Sequence, residues 1–374
     1  LFNFYEKSEM KKSLIALAVL AASGASFAQV TVTGNLTSGY QSITTGEVKT
    51  SPGGAVLRAN GEEGGMGVET ANVVFTAKED LGGGYAATAS MQLNTGAASG
   101  NRGAQSDNTT LTLATPVGGL VIGTARAADY LSGGIAGVGA YYAGWDGSAN
   151  KIFTDRTYRD FASFVVPVGA FTFSLTQADA ASDTTFGSGT TGGSSVGTGT
   201  FAATSGGSNA PVSTLSATYA AGPAVVNAQY ATYKNSGLPN AGTSPNAKDT
   251  TRLSGSYDLG MVKLGAGVVI TNHTANTGAN TPKTTDYLVA AKIPMGASSF
   301  GVSWAQRTMA DYVNTFSGTG SGYSLEYGYA MSKRTSVIAN YARWTTPAAM
   351  NLGFANGNDV AASSQYQLLL SHSF

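Results

Sequence analysis

The chain has 374 residues, of which 11% are charged and 50 are glycine, against about 25% charged and about 7% glycine in ordinary soluble domains. So much glycine argues against long helices, because each interior glycine costs about 1 kcal/mol relative to alanine. Basic and acidic residues balance at 21 each, which leaves no bulk footprint for nucleic acid, and with no cysteine and two histidines the sequence offers no disulfide, thiolate metal site, cysteine nucleophile or histidine-rich metal centre.

The first element is an address. Met10-Lys11-Lys12 precedes an apolar run from Leu14 to Ala22, and Ser26-Phe27-Ala28 supplies small residues at positions −3 and −1 of a cleavage site. The run has nine residues, whereas a helix needs roughly 20 to span a bilayer. Residues 1–28 therefore read as upstream residues plus an export signal (Met10 to Ala28), with a natural start at Met10 and a mature chain of 29–374 beginning at Gln29.

Beyond Gln29 the apolar residues recur with period two. Val30, Val32, Leu36 and Tyr40 alternate with Thr31, Thr33, Asn35, Thr37 and Gln41. Tyr85, Ala87, Ala89, Met91 and Leu93 alternate with Thr88, Ser90 and Gln92; Val262, Leu264, Ala266, Val268 and Ile270 oppose Lys263, Gly265 and Gly267; and Tyr323, Leu325, Tyr327 and Tyr329 face away from Ser324, Glu326 and Gly328. Such alternation predicts strands with one apolar and one polar face. Taken in order, strands are expected near 30–43, 68–78, 85–93, 108–115, 120–126, 156–167, 171–178, 212–220, 224–233, 249–258, 261–271, 285–293, 299–307, 322–330, 335–344 and 364–374.

The links between these runs alternate in length. Short ones fall near 79–84, 116–119, 168–170, 221–223, 259–260, 294–298 and 331–334; long ones near 44–67, 94–107, 127–155, 179–211, 234–248, 272–284, 308–321 and 345–363. An even number of strands with short turns at one end and long loops at the other is the plan of an outer-membrane barrel. In hydrocarbon every backbone donor and acceptor needs a partner, so a sheet spans only when closed. The apolar faces carry almost no charge in mid-strand, as lipid contact requires, and the Thr, Ser, Asn and Gln faces then enclose water. Tyr40, Phe171, Tyr219, Tyr257, Tyr287, Phe300, Trp304, Tyr323, Tyr341 and Phe374 lie near strand ends, where interfacial aromatic girdles sit. Strand parity makes Lys78, Arg252, Asp258, Lys263, Asp286, Lys292, Arg307 and Glu326 candidate lumen-lining charges. A diffusion pore asks for no reaction chemistry, and nothing here calls for a cofactor or metal.

Three motif-like spacings fail on context. Gly187-Ser188-Gly189-Thr190-Thr191-Gly192 has dinucleotide-loop spacing and Gly193-Ser194-Ser195-Val196-Gly197 has nucleophile-elbow letters. Both lie in the low-complexity stretch 181–210, without the strand-to-helix turn each mechanism needs. His273, read as part of a long loop, and His372, on the apolar face of the last strand, have no route to Ser195. Asn35, Asn108 and Asn272 begin glycosylation-type triplets that carry no weight in a bacterial-looking chain.

The last nine residues place Tyr366, Leu368, Leu370 and Phe374 on one face and stop on phenylalanine. This run resembles the terminal-strand signal that outer-membrane barrels present to the barrel assembly machinery. Lys78-Glu79-Asp80-Leu81-Gly82-Gly83-Gly84 and Met331-Ser332-Lys333-Arg334-Thr335 resemble the periplasmic turns of general porins from β-proteobacteria, as does the signal Met10–Ala28. The resemblance implies an all-β, sixteen-stranded antiparallel transmembrane β-barrel with short periplasmic turns, long extracellular loops and an inward-folded third loop. It further implies a homotrimer in outer-membrane lipid, passing small hydrophilic solutes and ions by passive diffusion.

In this chain the third loop is 127–155, and the residues carried over to the pore constriction are Arg126, Asp129, Asp146, Arg156 and Arg159. The loop lacks a Pro-Glu-Phe-Gly type of motif and is rich in Gly and Ala, which implies a weakly polarised pore; Arg126, Arg156 and Arg159 give the expectation of a modest anion preference. The alternative is a channel specific for sugars or organic acids, with Tyr130, Tyr141, Tyr142 and Trp145 as its aromatic candidates. An outer-membrane enzyme would need histidines at the outer rim, and a secreted adhesin or lectin would not need detergent for extraction.

Overall fold

Period-two sequence becomes a closed ring of strands. The computed structural model describes residues 29–49, 56–94, 105–126, 135–140, 158–181, 211–234, 247–273, 282–310, 318–345, 359–360 and 362–374. The described strands are β1 (Gln29–Thr45), β2 (Val48–Lys49), β3 (Val56–Arg58), β4 (Gly61–Gly82), β5 (Tyr85–Asn94), β6 (Gln105–Thr115), β7 (Gly118–Arg126), β8 (Tyr158–Val168), β9 (Phe171–Ala181) and β10 (Val212–Ala221). They continue as β11 (Ala224–Tyr233), β12 (Ala247–Asp258), β13 (Lys263–His273), β14 (Lys283–Met295), β15 (Ser298–Ala310), β16 (Gly318–Ala330), β17 (Thr335–Trp344), β18 (Asp359–Val360) and β19 (Ser363–Ser373). Sixteen of them, β1, β4 to β17 and β19, close into one antiparallel barrel, and β18, β2 and β3 form a separate three-stranded sheet.

Each of the sixteen predicted strands has its counterpart. The largest difference is at β4, which starts at Gly61, seven residues before the predicted 68. Residues 61–67 (Gly-Glu-Glu-Gly-Gly-Met-Gly) have no apolar alternation; they are strand because β1 runs on to Thr45 and pairs with them, Gln41 opposite Gly65 and Thr45 opposite Gly61. The small sheet lies within the two stretches read as the first and last long loops.

The barrel closes between β1 and β19, with Gln41 opposite Gln367 and Asn35 opposite Ser373. The tight turns need glycine where the backbone takes positive φ. Gly169 (φ 60°), Gly222 (φ 55°) and Gly296 (φ 65°) each lead a two-residue turn, the position that a type II′ hairpin reserves for glycine.

Register fixes the faces. The ten aromatics predicted for the girdles lie on the outer face with Val30, Leu111, Leu175, Leu253, Val289 and Leu368; all of these side chains are exposed except Tyr219 and Tyr341, which are half-buried. The other face carries Thr37, Ser163, Thr250, Ser254, Ser303, Ser324, Asn340 and Gln367. A soluble protein rarely exposes so much contiguous apolar surface; a hydrocarbon-facing barrel must. No helix among the described residues is long and apolar enough to cross a membrane, which says nothing of strands.

Candidate functional site

The inner face is mostly hydroxyl and amide. Ser163 Oγ lies 2.7 Å from Thr176 Oγ1, and Asn227 Nδ2 donates to Ser216 Oγ at 2.9 Å and Thr218 Oγ1 at 2.8 Å. Gln367 Nε2 donates to Gln41 Oε1 at 2.7 Å across the β1–β19 seam. Such groups solvate permeants without holding a net charge against them.

One patch of that face breaks the rule. Val269 on β13, Leu288 on β14, Ala305 on β15 and Ala342 on β17 form a buried apolar cluster, and Ala136 completes it. Trp344 packs against the same cluster. Ala136 belongs to the described piece of the third loop, Ile135–Ala140, so that segment lies inside the barrel against its wall. Val138 N donates to Ala136 O at 2.9 Å, a tight local turn, and Ser303 Oγ donates to Ala140 O at 3.3 Å.

The fit depends on glycines. A Cβ on Gly265 would sit 2.1 Å from Ala136 O, one on Gly301 2.8 Å from the carbonyl carbon of Gly139, and one on Gly139 2.1 Å from Val302 O. Glycine inside a strand often marks such a close backbone approach. In the sequence Gly265 stands out only as one position on the face opposite Leu264 and Ala266, and Gly301 not at all. The available signal was the run Val268-Val269-Ile270, apolar on both faces and therefore covered on both.

The eight parity-derived charges share the inner face. Arg252 is opposite Val269, Val269 opposite Asp286, and Asp286 opposite Arg307; Asp258 is opposite Lys263, and Lys263 opposite Lys292. Lys78 is opposite Thr88, and Glu326 is opposite Asn340. Asp286 and Arg307, 2% and 1% exposed, make a doubly hydrogen-bonded ion pair through Nε and Nη2, so their charges cancel away from water. Lys292 Nζ and Glu326 Oε1 are 3.7 Å apart, with the lysine side chain 40% exposed and the glutamate 7%.

Of the constriction candidates, Arg126 is opposite Tyr158, and Arg159 is opposite Ala125 and Ala181. Asp129, Asp146 and Arg156 lie outside the described residues, as do Tyr130, Tyr141, Tyr142, Trp145, Ser195 and the segment 1–28. His273 is the last residue of β13 and not part of a loop, with Nε2 3.3 Å from Thr284 Oγ1. His372 lies on the outer face with Nδ1 2.9 Å from Thr335 Oγ1. No group of three or more His, Cys, Asp or Glu among the described residues could hold a metal.

The sequence matches the family model described as Gram-negative porin over residues 14–348. The chain belongs to the Gram-negative porin family. This porin resembles solved outer-membrane barrels end to end. It is 18% identical to the anion-selective porin from Comamonas acidovorans, covering 93% of this chain and 100% of that one with a TM-score of 0.63. It is 13% identical to OmpT of Vibrio cholerae in a trimer form, over 92% of this chain and 99% of that one (TM-score 0.62). It is also 13% identical to OmpF of Salmonella typhi in complex with daunomycin, over 93% and 98% (TM-score 0.63). No curated protein sequence matches it significantly. At these identities the likeness shows the fold; the family match places the porin in the bacterial outer membrane as a channel for passive diffusion.

Proposed function

We propose that this porin is a general diffusion channel for small hydrophilic solutes and ions, narrowed by loop 127–155. The observation that carries the reading is the seat of Ile135–Ala140 on the inner wall, inside a ring whose remaining inner surface is largely neutral and polar. Solvation by Thr, Ser, Asn and Gln favours no particular solute, so size is the main filter and fixed charge a modest bias.

The bias runs toward anions. Arg126, Arg156 and Arg159 flank the narrowing loop, whose Gly- and Ala-rich sequence offers only Asp129, Asp146 and Asp155 against them. Lys78, Arg252, Asp258, Lys263, Lys292 and Glu326 add mixed charge along the lumen, and Asp286 and Arg307 cancel. The working unit is a homotrimer in outer-membrane lipid, a reading supported by the trimer form of a similar barrel. The chain is exported after cleavage at Ala28 and engages the barrel assembly machinery through Tyr366, Leu368, Leu370 and Phe374.

The test is a planar-bilayer recording of purified protein in a salt gradient. Discrete non-saturating steps with a mildly anion-selective reversal potential are expected. A cation-selective potential contradicts the arginine assignment, and current that saturates with a sugar or organic acid contradicts general diffusion.

A further inference from the structure

We propose that Gly265 and Gly301 are the residues that set the size limit of this channel, by letting the loop segment Ile135–Ala140 lie flush on the wall. The proposal rests on the diffusion-channel reading and assigns its cutoff to positions outside the loop itself.

Three observations converge. First, the contact is backbone on backbone. The Cβ distances of 2.1 Å from Gly265 to Ala136 O and 2.8 Å from Gly301 to the Gly139 carbonyl carbon leave no space for a methyl group. Packed backbone does not yield to an added methyl; one partner must move. The wall strands are held on both sides, β13 by β12 and β14, and β15 by β14 and β16. The segment is what moves, and away from the wall means toward the lumen.

Second, the segment is fastened. Ala136 is wholly buried in the cluster with Val269, Leu288, Ala305 and Ala342, and Ser303 holds Ala140 O. Withdrawing it would expose apolar inner wall to water, which is unfavourable. A small displacement therefore costs less than release.

Third, the described mid-strand positions of the wall across the lumen are neutral. Strands β5, β6 and β7 lie half-way round the ring from β13, β14 and β15. Their inner positions in register include Thr88, Ser90 and Gln92 on β5 and Thr110 and Thr112 on β6. The gap between that neutral wall and the Gly-Val-Gly-Ala backbone of the segment selects by dimension, and glycine-to-alanine changes in the seat alter it directly.

The experiment compares wild type with Gly265→Ala, Gly301→Ala and Gly119→Ala. Gly119 is also an inner-face wall position, but its added Cβ would have Leu113 O at 3.8 Å as its near neighbour, an ordinary contact. Single-channel conductance and the size of polyethylene glycol excluded are measured on each folded protein. Both seat variants are expected to conduct less and exclude smaller polymers, with Gly119→Ala unchanged. Unchanged or raised conductance in both seat variants overturns the proposal.

A second measurement is independent of conduction. The chain has no cysteine, so a Ser303→Cys/Ala140→Cys pair treated with a short thiol-bridging reagent should cross-link in the inserted barrel; failure to cross-link overturns the seat. A wild-type protein that inserts and does not conduct overturns the channel reading and the aperture claim with it, even where the cross-link forms.

Discussion

Gly34 and Phe374 exchange both backbone hydrogen bonds, Gly34 N to Phe374 O and Phe374 N to Gly34 O, each 3.0 Å. The last residue of the chain thus completes the ring against the first strand. The pairing needs glycine, because a Cβ at Gly34 would meet the Phe374 ring at 2.3 Å and Asn72 O at 2.6 Å. We therefore expect Gly34→Val, and deletion of Phe374, to lower the yield of barrel that keeps its compact mobility in unheated detergent gels. A full yield from both variants would show that closure does not depend on this contact.

Most of the barrel was legible because lipid imposes a strict alternation. Leu368 and Leu370 outside, Gln365 and Gln367 inside, is a pattern that can only be a strand with two different solvents. Where a second layer covers the inner wall the rule fails, and that is where reading was weakest. Leu369 and Val269 are buried inner-face apolar residues that an alternating pattern cannot explain. The seat glycines carry no side chain for a pattern to register.

The buried pair Asp286–Arg307 predicts asymmetric mutational costs. Removing one partner leaves an uncompensated buried charge, which typically costs about 3–5 kcal/mol. Asp286→Ala should accordingly lower the thermal unfolding midpoint markedly. An Asp286→Leu/Arg307→Met double variant, which removes both charges and keeps apolar volume, should recover much of that loss. Equal destabilisation by the single and double variants would argue that packing, not charge, dominates there.

The two faces of β9 predict opposite outcomes for the same substitution. Leu175 is 61% exposed on the outer face, and its neighbour Ser174 points inward, opposite Ser216. Arginine on the lipid face costs about 2–4 kcal/mol near mid-depth. Leu175→Arg should reduce folding into liposomes. Ser174→Arg should fold normally and shift the reversal potential toward anions, as a positive inner wall attracts them. The check is folding yield for the first and ion selectivity for the second.

The central claim is that the polar face of these strands meets water and the apolar face meets lipid. Single cysteines at adjacent positions of β6, Thr112→Cys and Leu111→Cys, test it in a chain that has no cysteine of its own. In barrels inserted into liposomes, a charged, membrane-impermeant thiol reagent should modify Thr112→Cys rapidly and reduce its single-channel current, and leave Leu111→Cys unmodified. Rapid modification of Leu111→Cys with protection of Thr112→Cys would contradict the account.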